Sequence, residues 1–177
     1  MKSKERLNRN CTVDKFRKRN GWMFWGSFIG FEKGPKLVWE KSWGTIDSEQ
    51  YCKRIVPLIA DEVSRRPGML LMQDNAPPHS SKMTVTELRA RGISTIEWPP
   101  CSPDLNPIES VWNQMKYFIE DKYPDLGEGR QRSSREIREI VEEAWESVSC
   151  EDLMKLLMTM PARCQAVLDA DGGCTQY

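Results

Sequence analysis

The chain has 177 residues, 26 Lys plus Arg against 26 Asp plus Glu, and a hydrophobic share of 39%. That is the size and composition of one globular domain, and seven tryptophans and five phenylalanines exclude a disordered chain. A formal net charge of zero excludes a global field that would draw in nucleic acid.

The charge is unevenly spread. Residues 1–20 hold eight basic residues (Lys2, Lys4, Arg6, Arg9, Lys15, Arg17, Lys18, Arg19) against Glu5 and Asp14, a local +6 on a body that carries −6. Such an arm can bind phosphate, serve as a nuclear address or remain a solvated tail. It lacks the apolar stretch of a secretory signal. The longest nearly apolar run, Trp22 to Phe31, is too short to cross a bilayer, so no membrane is expected.

From Gly21 to Gly30 aromatic residues fall on both alternating faces, the pattern of a strand buried in the middle of a sheet. Gly34-Pro35 reads as a turn and Lys36–Glu40 as the partner strand of a hairpin. Asp47 or Ser48 can cap a helix with apolar positions Tyr51, Ile55, Leu58, Ile59 and Val63, in which Pro57 introduces a kink. Pro67-Gly68 closes it. Met69–Met72 reads as a short buried strand ending at the polar tip Gln73-Asp74-Asn75. Residues Ser81 to Arg91 read as a helix with Gly92 just past its end, and Ile93–Trp98 alternates like another strand. The order β-β-α-β-α-β implies an α/β sheet with crossover helices.

A proline-rich loop, Pro99 to Pro107, precedes a helix with apolar positions Ile108, Val111, Trp112, Met115 and Ile119. After a polar loop from Pro124 to Arg132, helices are expected over Ser134–Val148 and Glu151–Met160, with a short piece after Pro161. Six cysteines at 11, 52, 101, 150, 164 and 174 form no Cys-x-x-Cys pair, and with a single histidine no zinc set has workable spacing. Reduced thiols are the expectation.

Two segments carry the candidate chemistry: Gln73-Asp74-Asn75-Ala76-Pro77-Pro78-His79 and Ser102-Pro103-Asp104-Leu105-Asn106-Pro107-Ile108-Glu109. Asp74 lies at the tip of a buried strand, where α/β folds place ligand-binding groups. Glu109 lies in the first turn of a helix. Brought together, the two carboxylates make an oxygen site for a hard cation such as Mg²⁺. The bland alternative is equally readable: Asn106 as helix cap, Pro107 in the first turn and Glu109 closing a capping box, with Asp74-Asn75-Ala76-Pro77 a simple turn.

The first of these segments, together with Trp98-Pro99-Pro100-Cys101-Ser102-Pro103-Asp104-Leu105-Asn106-Pro107-Ile108-Glu109-Ser110-Val111-Trp112, resembles the DDE transposases of the Tc/mariner superfamily. The 34 residues between Asp74 and Glu109 match the branch whose third acid is Glu. Trp25-Gly26 and the terminal Gly172-Gly173-Cys174-Thr175-Gln176-Tyr177 also resemble that family. The resemblance implies a ribonuclease-H-like mixed sheet flanked by helices. It also implies Asp74 as second and Glu109 as third catalytic acid, Mg²⁺ or Mn²⁺ as cofactor, transposon-end DNA as partner, a homodimer and a nuclear location. Residues 21–177 are then part of a catalytic domain, following the arm 1–20.

One departure stands out. The family's first Asp belongs on the first strand of the sheet, several dozen residues before Trp25-Gly26, a position upstream of Met1. The expectation is a domain lacking its first strand and inactive as written; the alternative function is a dead remnant that binds DNA or protein. Asp14, 11 residues before Trp25, is the only nearby substitute and sits among charged residues. Around the two acids, His79 either holds a turn or supports the metal site, and Asn75 and Asn113 can orient carboxylates or substrate. Lys116, two turns along the helix face from Glu109, is either solvated or in contact with a DNA phosphate.

Overall fold

The computed structural model describes residues 23–126, 132–173 and 175–177. The basic arm, Asp14, Cys11 and Cys174 lie outside the described residues.

The hairpin forms with a different turn from the one expected. Strand β1 (Phe24–Ile29) pairs antiparallel with β2 (Glu32–Val38), and the chain reverses at Gly30-Phe31, where Gly30 takes φ +60°. Gly34-Pro35 therefore lies inside β2. Gly26 pairs with Lys36 and Phe28 with Lys33, so Ser27 alone opposes Gly34 and Pro35 in a β-bulge. A bulge asks no ladder hydrogen bond of Pro35, which is why a strand tolerates proline there. Ser27 Oγ donates to the Pro35 carbonyl at 3.0 Å. A Cβ on Gly34 would lie 2.5 Å from that Oγ, so the close approach requires glycine.

Asp47 caps α1 (Ser48–Arg54) by accepting from the Gln50 N–H at 2.8 Å. Pro57 divides the expected single helix: α2 (Val56–Arg65) starts afresh with proline in its first turn, where a missing N–H costs nothing. The expected strands Met69–Met72 and Ile93–Trp98 reduce to a single parallel bridge, Leu71 with Thr95. Leu71 N–H donates to Ser94 O at 2.8 Å and Ile96 N–H to Leu71 O at 2.9 Å. Two extended segments holding only each other are too little for a regular ladder. The crossover between them is as expected, through a short helix α3 (Pro77–Ser80) that the sequence reading did not include and α4 (Lys82–Ala90), capped by Ser81 and followed by Gly92 at φ +68°.

Helix α5 (Ile108–Lys122) follows a tight turn over Pro103–Leu105. Capping boxes at Ser133/Glu136 and Ser149/Asp152 open α6 (Ser134–Ser147) and α7 (Cys150–Met158). The piece after Pro161 is longer than expected, a ten-residue helix α8 (Met160–Asp169). No described helix is long and apolar enough to cross a membrane.

Two apolar cores flank the hairpin. On one face Trp25 and Leu37 pack against Trp39, Tyr51, Ile55 and Ile59. On the other, Phe24 and Phe28 pack against Val111, Met115, Ala144 and Trp145. This is the period of two expected of a strand covered on both sides. Phe24, Trp112 and Trp145 form an aromatic cluster with centroids 5.3–6.0 Å apart. The Trp145 ring lies so close to Gly26 that an added Cβ would meet it at 3.1 Å.

Candidate active site

Between β1, α2 and the Met69–Gln73 segment lies a cavity of about 440 Å³. Its walls include Phe24, Phe28, Val63 and Trp112, and Asp74, His79 and Glu109 also line it. The two motifs thus meet at one place. Asp74 arrives there because the Leu71 bridge anchors the chain three residues earlier. Glu109 arrives because α5 begins at Ile108 after the Pro103–Leu105 turn.

Asp74 is held by its own segment. Its Oδ1 accepts from the Ala76 N–H at 3.1 Å and lies 2.6 Å from His79 Nδ1. The His79 ring in turn packs at 4.7 Å from Tyr51. Tyr51 is buried, and its hydroxyl donates to Gln73 Oε1 at 2.7 Å. Burial, and then the charge of Asp74, push the Tyr51 phenol well above its ordinary range. A phenol that stays protonated is a dependable donor, so the chain Tyr51–Gln73 fixes the residue before Asp74.

Glu109 does not close the capping box that the sequence also allowed. Asn106 places its backbone carbonyl, not its side chain, on the Glu109 N–H at 3.1 Å. Asn106 Oδ1 is buried without a partner, and no side chain caps α5. No hydrogen bond among the described residues engages the Glu109 carboxylate, and Oδ2 of Asp74 is equally uncommitted. Partial burial holds the Glu109 carboxyl above the ordinary glutamate range; Lys116 opposes this and Asp74 adds to it. Two carboxylates with uncommitted oxygens lining one cavity, where the charge of Asp74 makes ionisation of Glu109 harder, are an oxygen donor set for a hard cation. Among the described residues no three His, Cys, Asp or Glu side chains gather into a metal-holding group.

The other expected residues divide. Lys116 is exposed and close enough for its charge to reach Glu109. Asn75 does not face the carboxylates: its Nδ2 donates to the Trp98 carbonyl at 2.7 Å, tying the first motif to the second. Asn113 is exposed on α5 and makes no side-chain hydrogen bond among the described residues, because orientation of Asp74 falls to His79 and Ala76. Sequence reasoning took Tyr51 for a core residue and gave Arg163 no role. Arg163 is buried beside the turn before α5. Neither had a local signal, since their partners lie 22 and 59 positions away.

Residues 9–128 match the family described as DDE superfamily endonuclease. The transposable element Tc1 transposase of Caenorhabditis elegans is 31% identical over 156 residues, 88% of this chain and 54% of the relative. The Tcb1 transposase of Caenorhabditis briggsae is 31% identical over 159 residues with the same coverage. The chain therefore spans about half the length of the curated relatives it matches. The catalytic domain of Mos1 transposase, solved with raltegravir and Mn, superposes with a TM-score of 0.66 at 16% identity, covering 88% of this chain and 78% of that one. A pre-cleavage Mos1 transpososome superposes with a TM-score of 0.70 at 16% identity, covering 99% of this chain and 53% of that one.

Proposed function

The chain belongs to the DDE superfamily endonucleases, with the ribonuclease-H-like fold of a Tc/mariner transposase catalytic domain, and we propose that Asp74 and Glu109 hold a divalent cation for phosphoryl transfer on DNA. The observation that carries this reading is that both carboxylates, with oxygens uncommitted, line one cavity and that the charge of Asp74 reaches Glu109. Mg²⁺ is commonly held by one or two carboxylates plus substrate phosphates, so a pair fits it. When bound, Mg²⁺ or Mn²⁺ stabilises charge that develops on a transferring phosphoryl group.

The chain's own residues prepare that site. Ala76 and His79 fix one oxygen of Asp74 and leave the other free. The start of α5 favours the ionised form of Glu109, against the burial that opposes it. Lys116 offers a cation to a DNA phosphate on the same helix face. The aromatic wall at Phe24 and Trp112 keeps the neighbouring space apolar, which strengthens the electrostatics of the site.

The proposed substrate is transposon-end DNA, a reading supported by the transposable-element relatives and the Mos1 transpososome, and the proposal includes a homodimer and a nuclear location. A second reading has its own observation. Among the described residues no three His, Cys, Asp or Glu side chains gather, which supports a polypeptide that binds metal or DNA without cutting. Calorimetric titration with Mn²⁺ tests the site. Asp74→Asn and Glu109→Gln are each expected to weaken binding at least about tenfold. Variants that bind Mn²⁺ as the wild type does would refute it.

A further inference from the structure

The segment that carries Glu109 is clamped at both ends by one side chain. Arg163, on α8, is only 4% exposed. Its Nη1 donates to the Asp104 carbonyl at 2.7 Å and its Nη2 to Ser110 Oγ at 3.0 Å. Its Nε donates to Thr159 Oγ1 at 2.8 Å, and its guanidinium lies 4.8 Å from the Tyr177 ring centroid. Asp104 stands five residues before Glu109 and Ser110 one after it.

Among the described residues no carboxylate pairs with this guanidinium: the acceptors it uses there are neutral. A buried cation satisfied only by neutral oxygens is a costly way to add stability. Asn106, between the two anchors, leaves a buried Oδ1 without a donor, a further cost of holding this loop in one shape. Both costs attach to holding the seven residues from Asp104 to Ser110, whose shape sets where Glu109 points. A planar fork spanning two acceptors fixes a segment in a way that a flexible ammonium does not.

We infer that Arg163 is a positioning residue for Glu109, holding Asp104 and Ser110 in register so that the carboxylate stays at the cavity that Asp74 also lines. The inference rests on the reading of Glu109 as a cation ligand.

The test uses the 177-residue chain with Arg163→Lys, which keeps the charge and loses the fork. Ser110→Ala, which removes one anchor, serves as a milder second variant. Ile140→Val, in the core of α6, controls for lost stability. Both loop variants are expected to weaken Mn²⁺ binding about tenfold and to lower the NMR order parameter of the Glu109 side-chain methylenes, with Glu120 on the same helix unchanged. Ile140→Val is expected to change neither. An unchanged Glu109 order parameter overturns the inference, as does undiminished Mn²⁺ affinity in both variants of a wild type that binds it. A wild type that binds no Mn²⁺ refutes the cation reading, and the order parameter then decides on Arg163 alone.

Discussion

Asp74 and Glu109, with 34 residues between them in the chain, line one cavity, and the charge of Asp74 adds to the burial that holds the Glu109 carboxyl above the ordinary glutamate range. Like charges brought together in a partly desolvated site destabilise the empty protein. A divalent cation would relieve both at once, so the arrangement trades stability of the empty fold for affinity.

A pH dependence follows, and its sign is fixed. A carboxyl whose folded pKa is raised binds its proton more tightly in the fold than in the unfolded chain. Its ionisation therefore removes stability as pH rises through the folded pKa. Glu109→Gln is expected to raise the melting temperature of the metal-free protein at neutral pH, with the pH-dependent part of that gain vanishing below the ordinary glutamate range. Thermal melts from pH 3 to 8 measure it. In the same range Mn²⁺ affinity should fall as protons compete for Glu109.

The 177-residue polypeptide is expected not to nick or join DNA in Mg²⁺ or Mn²⁺. Two-metal phosphoryl transfer needs groups on both the attacking and the leaving oxygen, and among the described residues no three His, Cys, Asp or Glu side chains form a metal-holding group. Metal-dependent nicking by this polypeptide, lost on Asp74→Ala or Glu109→Ala, would contradict this and make Asp14 the first further acid to examine.

Trp145 joins the hairpin to α5 and α6. It is 1% exposed, stacks near Phe24 and Trp112, and covers Gly26. Trp145→Ala is expected to cost about 3–5 kcal/mol, the range for large aromatic truncations in a core. Urea unfolding would show this as a lower midpoint with an unchanged slope. A loss under about 1 kcal/mol would mean that the aromatic cluster is not a core element.

The basic arm makes a separate prediction. If residues 1–20 contact DNA, binding is sequence-independent and each phosphate contact adds about 0.9 to the slope of log affinity against log salt. Deleting residues 1–20 is then expected to flatten that slope. Identical slopes for both proteins would remove the arm from DNA binding.

What was legible in the sequence was local. Asp47 reads as a cap and caps α1 because cap and backbone lie within one turn. The position of Asp74 at a strand tip followed from the apolar run before it, and the pairing of the two acids from the resemblance of the motifs around them. The hairpin turn was misplaced because Gly34-Pro35 is the stronger local turn signal, while the register is set by facing side chains. Asn106 and Glu109 were ambiguous for the same reason: the string suits a capping box and a ligand equally.

The sequence by itself determined most of the longer helices and the Asp47 cap, since periodicity and capping act over a few residues whatever the rest of the chain does. Tertiary structure alone decided that Glu109 is left uncapped at the cavity, that Asn75 binds Trp98 instead of a carboxylate, and that Arg163 reaches back 59 positions to Asp104. Those outcomes depend on which distant groups share a buried volume. That competition for space and hydrogen-bond partners is settled only when the elements pack.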